Sequence, residues 1–117
     1  ITYGMGVYWA LQAEKEFPGQ IEILDLRSLY PLDEDLVFEC SKKHGRILVL
    51  TEEPEHNSFA QSLAGRISQH CFEYLDQAVQ VMGSANLPAI PLNSILEQEM
   101  LPNAQKLIER LKEMINR

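Results

Sequence analysis

Glu52, Glu53, Glu55 and His56 form the densest group of side chains in this sequence that could do chemistry. Carboxylates beside an imidazole can share a proton in general acid–base work or hold a metal ion. These four lie in a loop interrupted by Pro54, without the i, i+4 spacing that puts two ligands on one helix face, so no zinc motif is present. The competing reading is a solvated acidic loop in which His56 orients the next helix or touches a partner.

Gly4-Met5-Gly6 ends the first strand-like run and opens a helix, as in phosphate-binding turns. A dinucleotide fingerprint would place its third glycine at Trp9, which is far too large. Asp25 lies about twenty residues beyond, where a dinucleotide fold holds its ribose. It can equally pair with Arg27, with a neighbouring element or with another subunit. His44 and His70 fall at or near helix C-termini, where an imidazolium complements the dipole. Cys40 and Cys71 are far apart and match no ligand or redox pattern, so both are expected as buried, reduced thiols. There is no Gly-x-Ser-x-Gly elbow and no Walker loop.

The elements that would position these groups alternate between the two periodicities. Val7, Ala10, Leu11 and Phe17 recur at helical spacing, and Pro18-Gly19 should stop that helix near Phe17. Ile21–Leu26 reads as a strand. Asp33 can cap a second helix with buried face Leu36, Val37 and Cys40, closed by Lys42, Lys43, His44 and a left-handed Gly45. Arg46–Thr51 is nearly continuous in apolar residues, as in a central parallel strand covered on both faces. Asn57 or Ser58 can cap a third helix burying Phe59, Leu63, Ala64, Ile67 and Cys71. Val79–Gly83 is a short fourth strand, and Leu87–Pro91 is a loop. A last helix, started by Pro102, carries Leu107, Ile108, Leu111, Met114 and Ile115 as one stripe.

Strand–helix alternation implies parallel strands joined by right-handed crossovers, hence a three-layer α/β/α sandwich. Ligands in such folds sit at the C-terminal ends of the strands. The chain is 117 residues long, 45% hydrophobic and 23% charged, which fits one globular domain of residues 1–117. Its net charge of −7 argues against nucleic acid or an anionic membrane as a partner. From Asn103 onward the balance turns basic. The sequence opens inside a strand-like run at Ile1, so it is expected to be a fragment of a longer chain.

Ile1-Thr2-Tyr3-Gly4-Met5-Gly6 with Trp9-Ala10-Leu11, then Ile23-Leu24-Asp25-Leu26-Arg27-Ser28-Leu29-Tyr30-Pro31-Leu32-Asp33, resembles the C-terminal domain of the transketolase superfamily. The resemblance continues through Gly45–Val49 with Glu52 and ends at Leu101-Pro102-Asn103-Ala104. It is strongest to the beta subunit, or beta-like half, of thiamin diphosphate-dependent 2-oxo acid dehydrogenases. The resemblance implies a four-stranded parallel sheet ordered 2-1-3-4, with a further antiparallel edge strand just before Ile1. It also implies that thiamin diphosphate and magnesium lie in other domains of the parent, and that no residue here is catalytic, cofactor-binding or metal-binding.

The implied partners are an alpha subunit or the remaining domains of the enzyme, and the dihydrolipoyl acyltransferase. The implied parent is oligomeric, in the cytoplasm, or in the mitochondrial matrix if eukaryotic. Asp25, Arg27, Glu52, Glu53, His56, Asn57 and Phe59 are the interface or docking candidates. A branched-chain 2-oxo acid, pyruvate and another 2-oxo acid all stand as substrates. A transketolase or deoxyxylulose-phosphate synthase is the alternative parent, and a free-standing module holding a small anion at Gly4-Met5-Gly6 the alternative of another class. Asn57-Ser58-Phe59-Ala60 departs from the Gly-Gly-Phe-Gly-like turn of many beta subunits, and the loop from Leu87 to Met100 is about one residue longer than the commonest form.

Overall fold

Continuous apolarity from Ile47 to Leu50 has the consequence expected of it. In the computed structural model, which describes residues 1–85 and 101–116, strand β1 (Leu48–Pro54) is buried on both faces over Leu48–Thr51. Leu48 and Leu50 point to one side, where they meet Ala10, Ala13, Met82, Leu107 and Met114. Ile47 and Val49 point to the other, into Val37, Ala60, Leu63, Ala64, Ile67 and Cys71. Helices α1 (Gly6–Glu14) and α4 (Ala104–Ile115) therefore cover one face, and α2 (Glu34–His44) and α3 (Phe59–Cys71) the other.

β1 pairs in parallel with β2 (Gln80–Ser84), matching Leu48 to Gln80, Val49 to Val81 and Leu50 to Met82. The register then shifts, so that Pro54, two residues beyond Glu52, meets Ser84. These are the two regular strands among the described residues. Ile1–Tyr3 and Ile21–Leu26, expected as strands, instead join through isolated parallel bridges from Thr2 to Asp25 and to Leu50. Thr2 N–H donates to Leu24 O at 3.0 Å, Leu26 N–H to Thr2 O at 2.9 Å and Leu50 N–H to Ile1 O at 2.9 Å. With only Ile1–Tyr3 between its neighbours, the run offers too few residues for a longer ladder.

The caps follow the side-chain chemistry. Asp33 Oδ1 accepts from Leu36 N–H at 3.1 Å, and Gly45 closes α2 at φ 72°, where a Cβ would be strained. Of the two candidates at α3, Ser58 is the cap, its Oγ accepting from Gln61 N–H at 3.2 Å, while Gln61 Oε1 accepts from Asn57 N–H at 2.7 Å. Asn103, one residue after Pro102, caps α4 by accepting from Lys106 N–H at 2.8 Å. The far end of α4 is held by Arg46, which donates to Met114 O at 3.1 Å and Ile115 O at 3.0 Å, and by Gln77 Nε2 to Met114 O at 3.2 Å.

Two helical stripes differ from expectation. α1 stops at Glu14, before Phe17, and buries Gly6, Ala10 and Ala13, leaving Leu11 49% exposed. α2 buries Val37 and Ser41, whereas Leu36 is exposed and Cys40 half-buried. Ser41 is admitted to the buried row because its Oγ donates to Val37 O at 2.8 Å, so its hydroxyl is satisfied without water. Cys40 and Cys71 are both free thiols, Cys71 fully buried. The expected loop over Leu87–Pro91, and the extra length before Met100, lie outside the described residues.

His44 and His70 each hold a structural contact. His70 stacks on Phe38 with ring centroids 4.6 Å apart. His44 Nε2 lies 3.2 Å from Glu22 Oε2, which also accepts from Lys43 Nζ at 3.0 Å. The hydrogen bonds from Lys43 first, and from His44 next, hold the Glu22 carboxyl down to about 2. A depressed carboxylate pKa contributes stability above the ordinary carboxylate range, lost as pH falls from about 4.5 through about 2. Melting temperatures from pH 6 to pH 2 should therefore converge for the wild type and Glu22→Gln; a gap that persists at pH 2 would mean that the clamp is not electrostatic.

Candidate functional site at the strand ends

The C-terminal ends of the parallel segments gather Tyr3, Gly4-Met5-Gly6, Asp25–Arg27, Thr51–His56 and Gly83-Ser84. Tyr3 and Thr51 sit on adjacent segments, so their hydroxyls meet at 2.7 Å. The Tyr3 ring packs edge-on against Phe59, centroids 5.7 Å apart and planes at 88°. Burial pushes the Tyr3 phenol above its usual range, with Glu53 and Glu52 adding in the same direction. Sequence reading passed over Tyr3 and Thr51. Their signal was position alone: each follows the residue through which its segment bridges the other, Thr2 and Leu50.

Glu52 is spent on the backbone. Its Oε1 accepts from Met5 N–H at 3.2 Å, so a carboxylate of β1 already occupies the start of α1. That is where a phosphate would need free N–H groups and no negative neighbour. The Gly4-Met5-Gly6 turn thus fits neither the free-standing anion module nor the pyrophosphate of thiamin diphosphate.

Glu55 is committed in the same way, accepting from Gly83 N–H at 3.3 Å while its own N–H donates to Ser84 O at 3.3 Å. Glu53 is exposed, its N–H donating to Thr51 Oγ1 at 3.1 Å. His56 is exposed and makes no hydrogen bond or ion pair among the described residues. It lines an open cavity of about 430 Å³ with Gly83, Ser84, Pro102 and Arg110. The carboxylates clustered in sequence are therefore engaged by different partners, and although Glu55 and His56 line the same cavity, no carboxylate among the described residues hydrogen-bonds to His56 to orient it as a base would require.

Asp25 and Arg27 pair with each other: Arg27 N–H donates to Asp25 Oδ1 at 3.1 Å and Arg27 Nε to Asp25 Oδ2 at 3.3 Å. Arg27 adopts a left-handed φ of 54°, unusual for a side chain of its size, and its side chain stays 87% exposed. Asn57 is also left-handed at φ 57° and exposed, and Phe59 is half-buried against Tyr3. Burial pushes both thiols up, so neither Cys40 nor Cys71 offers a thiolate near neutral pH. Among the described residues no three His, Cys, Asp or Glu side chains come together as a metal site. No helix among them is long and apolar enough to cross a membrane.

What this end of the sheet offers is a braced surface. Its carboxylates fix the Gly4-Met5 turn and the Gly83 backbone, while Arg27, Glu53, His56 and Asn57 face outward.

The chain is 32% identical to the 2-oxoisovalerate dehydrogenase subunit beta of Bacillus subtilis (strain 168), over 97% of this chain and 36% of that protein. It is 31% identical to the pyruvate dehydrogenase E1 component subunit beta of Rhizobium meliloti (strain 1021), over 96% of this chain and 25% of that protein. The acetoin:2,6-dichlorophenolindophenol oxidoreductase subunit beta of Bacillus subtilis (strain 168) is 30% identical over 82% of this chain and 28% of its own length. The chain thus spans about a quarter to a third of the curated relatives it matches. The family described as transketolase, C-terminal domain, is matched over residues 1–107, through both helical layers and the sheet between them: the chain belongs to that family.

Proposed function

We propose that this chain is the C-terminal domain of the beta subunit, or beta-like half, of a thiamin diphosphate-dependent 2-oxo acid dehydrogenase, and that it builds the subunit interface and docks the dihydrolipoyl acyltransferase. The parent decarboxylates a 2-oxo acid oxidatively and passes the acyl group to a lipoyl arm, with cofactor and magnesium held by other domains and an alpha subunit as partner. The observation that carries this reading is the use made of the strand-end carboxylates. Glu52 and Glu55 are bound to backbone N–H groups, so the end of the sheet that would host a reaction is built to hold its loops still.

The relatives' names support a dehydrogenase parent over transketolase or deoxyxylulose-phosphate synthase. They span branched-chain and pyruvate chemistry at nearly equal identity, which supports placing the choice of 2-oxo acid outside this domain. The sheet order 2-1-3-4 belongs to the same proposal, as does an added strand before Ile1 on the Ile21–Leu26 edge. An apolar cavity of about 420 Å³ beside that edge, walled by Ile21, Ile23, Cys40, Leu107 and Leu111, supports it. A cytoplasmic setting is proposed with the function.

Titration of the intact parent with the subunit-binding domain of the acyltransferase tests the docking half. Saturable binding, weakened at least tenfold by Glu53→Lys together with Arg27→Glu, is expected; absence of binding by the folded parent overturns it. His56→Ala in the parent should leave its thiamin diphosphate affinity within about twofold, because His56 touches nothing that positions a cofactor. A larger loss in an equilibrium binding measurement would place the loop in the cofactor cleft.

A further inference from the structure

The cavity beside His56 lies at the C-terminal end of β2, the end at which parallel sheets hold their ligands. At about 430 Å³ it has the size of a small-molecule site. One polar group in its wall is buried. Ser84 is 2% exposed, and its Oγ makes no hydrogen bond among the described residues. No buried side-chain oxygen or nitrogen among them is both sealed from solvent and unbonded. The small part of Ser84 left open is therefore its hydroxyl, facing the cavity and lacking a protein partner.

The surrounding charges say what that partner is. Helix α4 brings Lys106, Glu109, Arg110 and Glu113 to the cavity, all within about 100° of its circumference. Lys106 is engaged by Leu101 O at 2.8 Å. Arg110 donates from Nη1 to Gln80 Oε1 at 3.2 Å, and its other guanidinium donors make no bond among the described residues. The carboxylates of Glu109 and Glu113 make none either. Glu55, bound to Gly83 N–H, is a third carboxylate in the same wall. Three carboxylates against two cations repel a simple anion, and a simple cation would meet Arg110. A molecule bearing both charges satisfies both sides, while Met82, Leu101 and Pro102 supply an apolar wall.

We propose that this cavity binds an α-amino acid with an apolar side chain, its carboxylate on Arg110 and Ser84 and its ammonium on Glu109 and Glu113. The proposal stands apart from the docking of the acyltransferase and from the parent's choice of 2-oxo acid. Calorimetric titration of the intact parent with L-leucine tests it. Saturable binding is expected, weakened at least tenfold by Arg110→Gln and at least threefold by Ser84→Ala, which removes one oxygen and keeps the test decisive should Arg110→Gln fold poorly without its Gln80 bond. A carboxylate probe can also enter the parent's own reaction site, so the compared quantity is the binding that Arg110→Gln or Ser84→Ala weakens. By that measure 4-methylpentanoate, which lacks the ammonium, and 3-methylbutylamine, which lacks the carboxylate, should each bind at least tenfold more weakly than leucine. Absence of leucine binding by the folded parent, an affinity unchanged in both variants, or equal affinity for leucine and 4-methylpentanoate would each overturn the proposal.

Discussion

Replacing Ile67 by alanine should lower the unfolding free energy by about 3–4 kcal/mol, a loss in the upper range for truncating a buried aliphatic side chain. Ile67 is completely buried on the inner face of α3. It lies in the cluster of Val37, Val49, Leu63 and Cys71, between the sheet and α2. Removing three carbons there costs their transfer free energy and leaves a cavity that cannot collapse. The surrounding groups belong to three separately anchored elements: β1 in its ladder, α2 between its Asp33 and Gly45 caps, and α3 on its Ser58 cap. Against a total stability of about 5–15 kcal/mol for such a domain, this is a large fraction. Urea unfolding should show a lower midpoint at an unchanged slope. The equivalent truncation of exposed Leu36, which the sequence pattern placed in the buried stripe, should cost under about 1 kcal/mol.

The contrast between Ile67 and Leu36 marks how far the sequence could be read. Covered strand β1 was legible because four apolar residues in a row have no other use in a folded chain. The caps at Asp33, Ser58 and Gly45 were legible because each acts within four residues of itself. The α2 stripe was misplaced by one position because a serine that bonds its own helix counts as polar in a pattern and as buried in the fold. Ile21–Leu26 has the alternation of a strand, but whether a ladder forms depends on the partner, which here is three residues long. At the strand ends the pattern misled more. Glu52, Glu53, Glu55 and His56 are neighbours in sequence, yet Glu52 turns to Met5 and Glu55 to Gly83, partners 47 and 28 positions away. No local spacing encodes those meetings; they follow from which strands lie side by side.

Gly83→Ala should cost about 2–3 kcal/mol, at the upper end of what a single added methyl does in a packed interior. The reason is the register shift. Between Leu50 and Pro54 strand β1 advances four residues while β2 advances two, and the excess bows β1 toward its neighbour. The carbonyl of Glu53 is thereby brought so close to Gly83 that a Cβ there would overlap it, with Thr51 Cγ2 a further 3.0 Å contact and Glu55 Cγ 3.3 Å away. A side chain could rotate out of the way; a carbonyl in a paired strand cannot. The two strands must part, and with them go the Gly83–Glu55 and Glu55–Ser84 hydrogen bonds that fix the loop carrying His56. The docking role proposed above therefore predicts that acyltransferase binding by the parent weakens along with stability. Gly65 supplies the control: it lies in the exposed interior of α3 with nothing within 4 Å of a Cβ, so Gly65→Ala should stabilise by about 0.5–1 kcal/mol. Thermal melts of the two variants should move in opposite directions. If Gly83→Ala melted with the wild type, the close approach of Glu53 would not exist in solution, and this end of the sheet would not be braced as described.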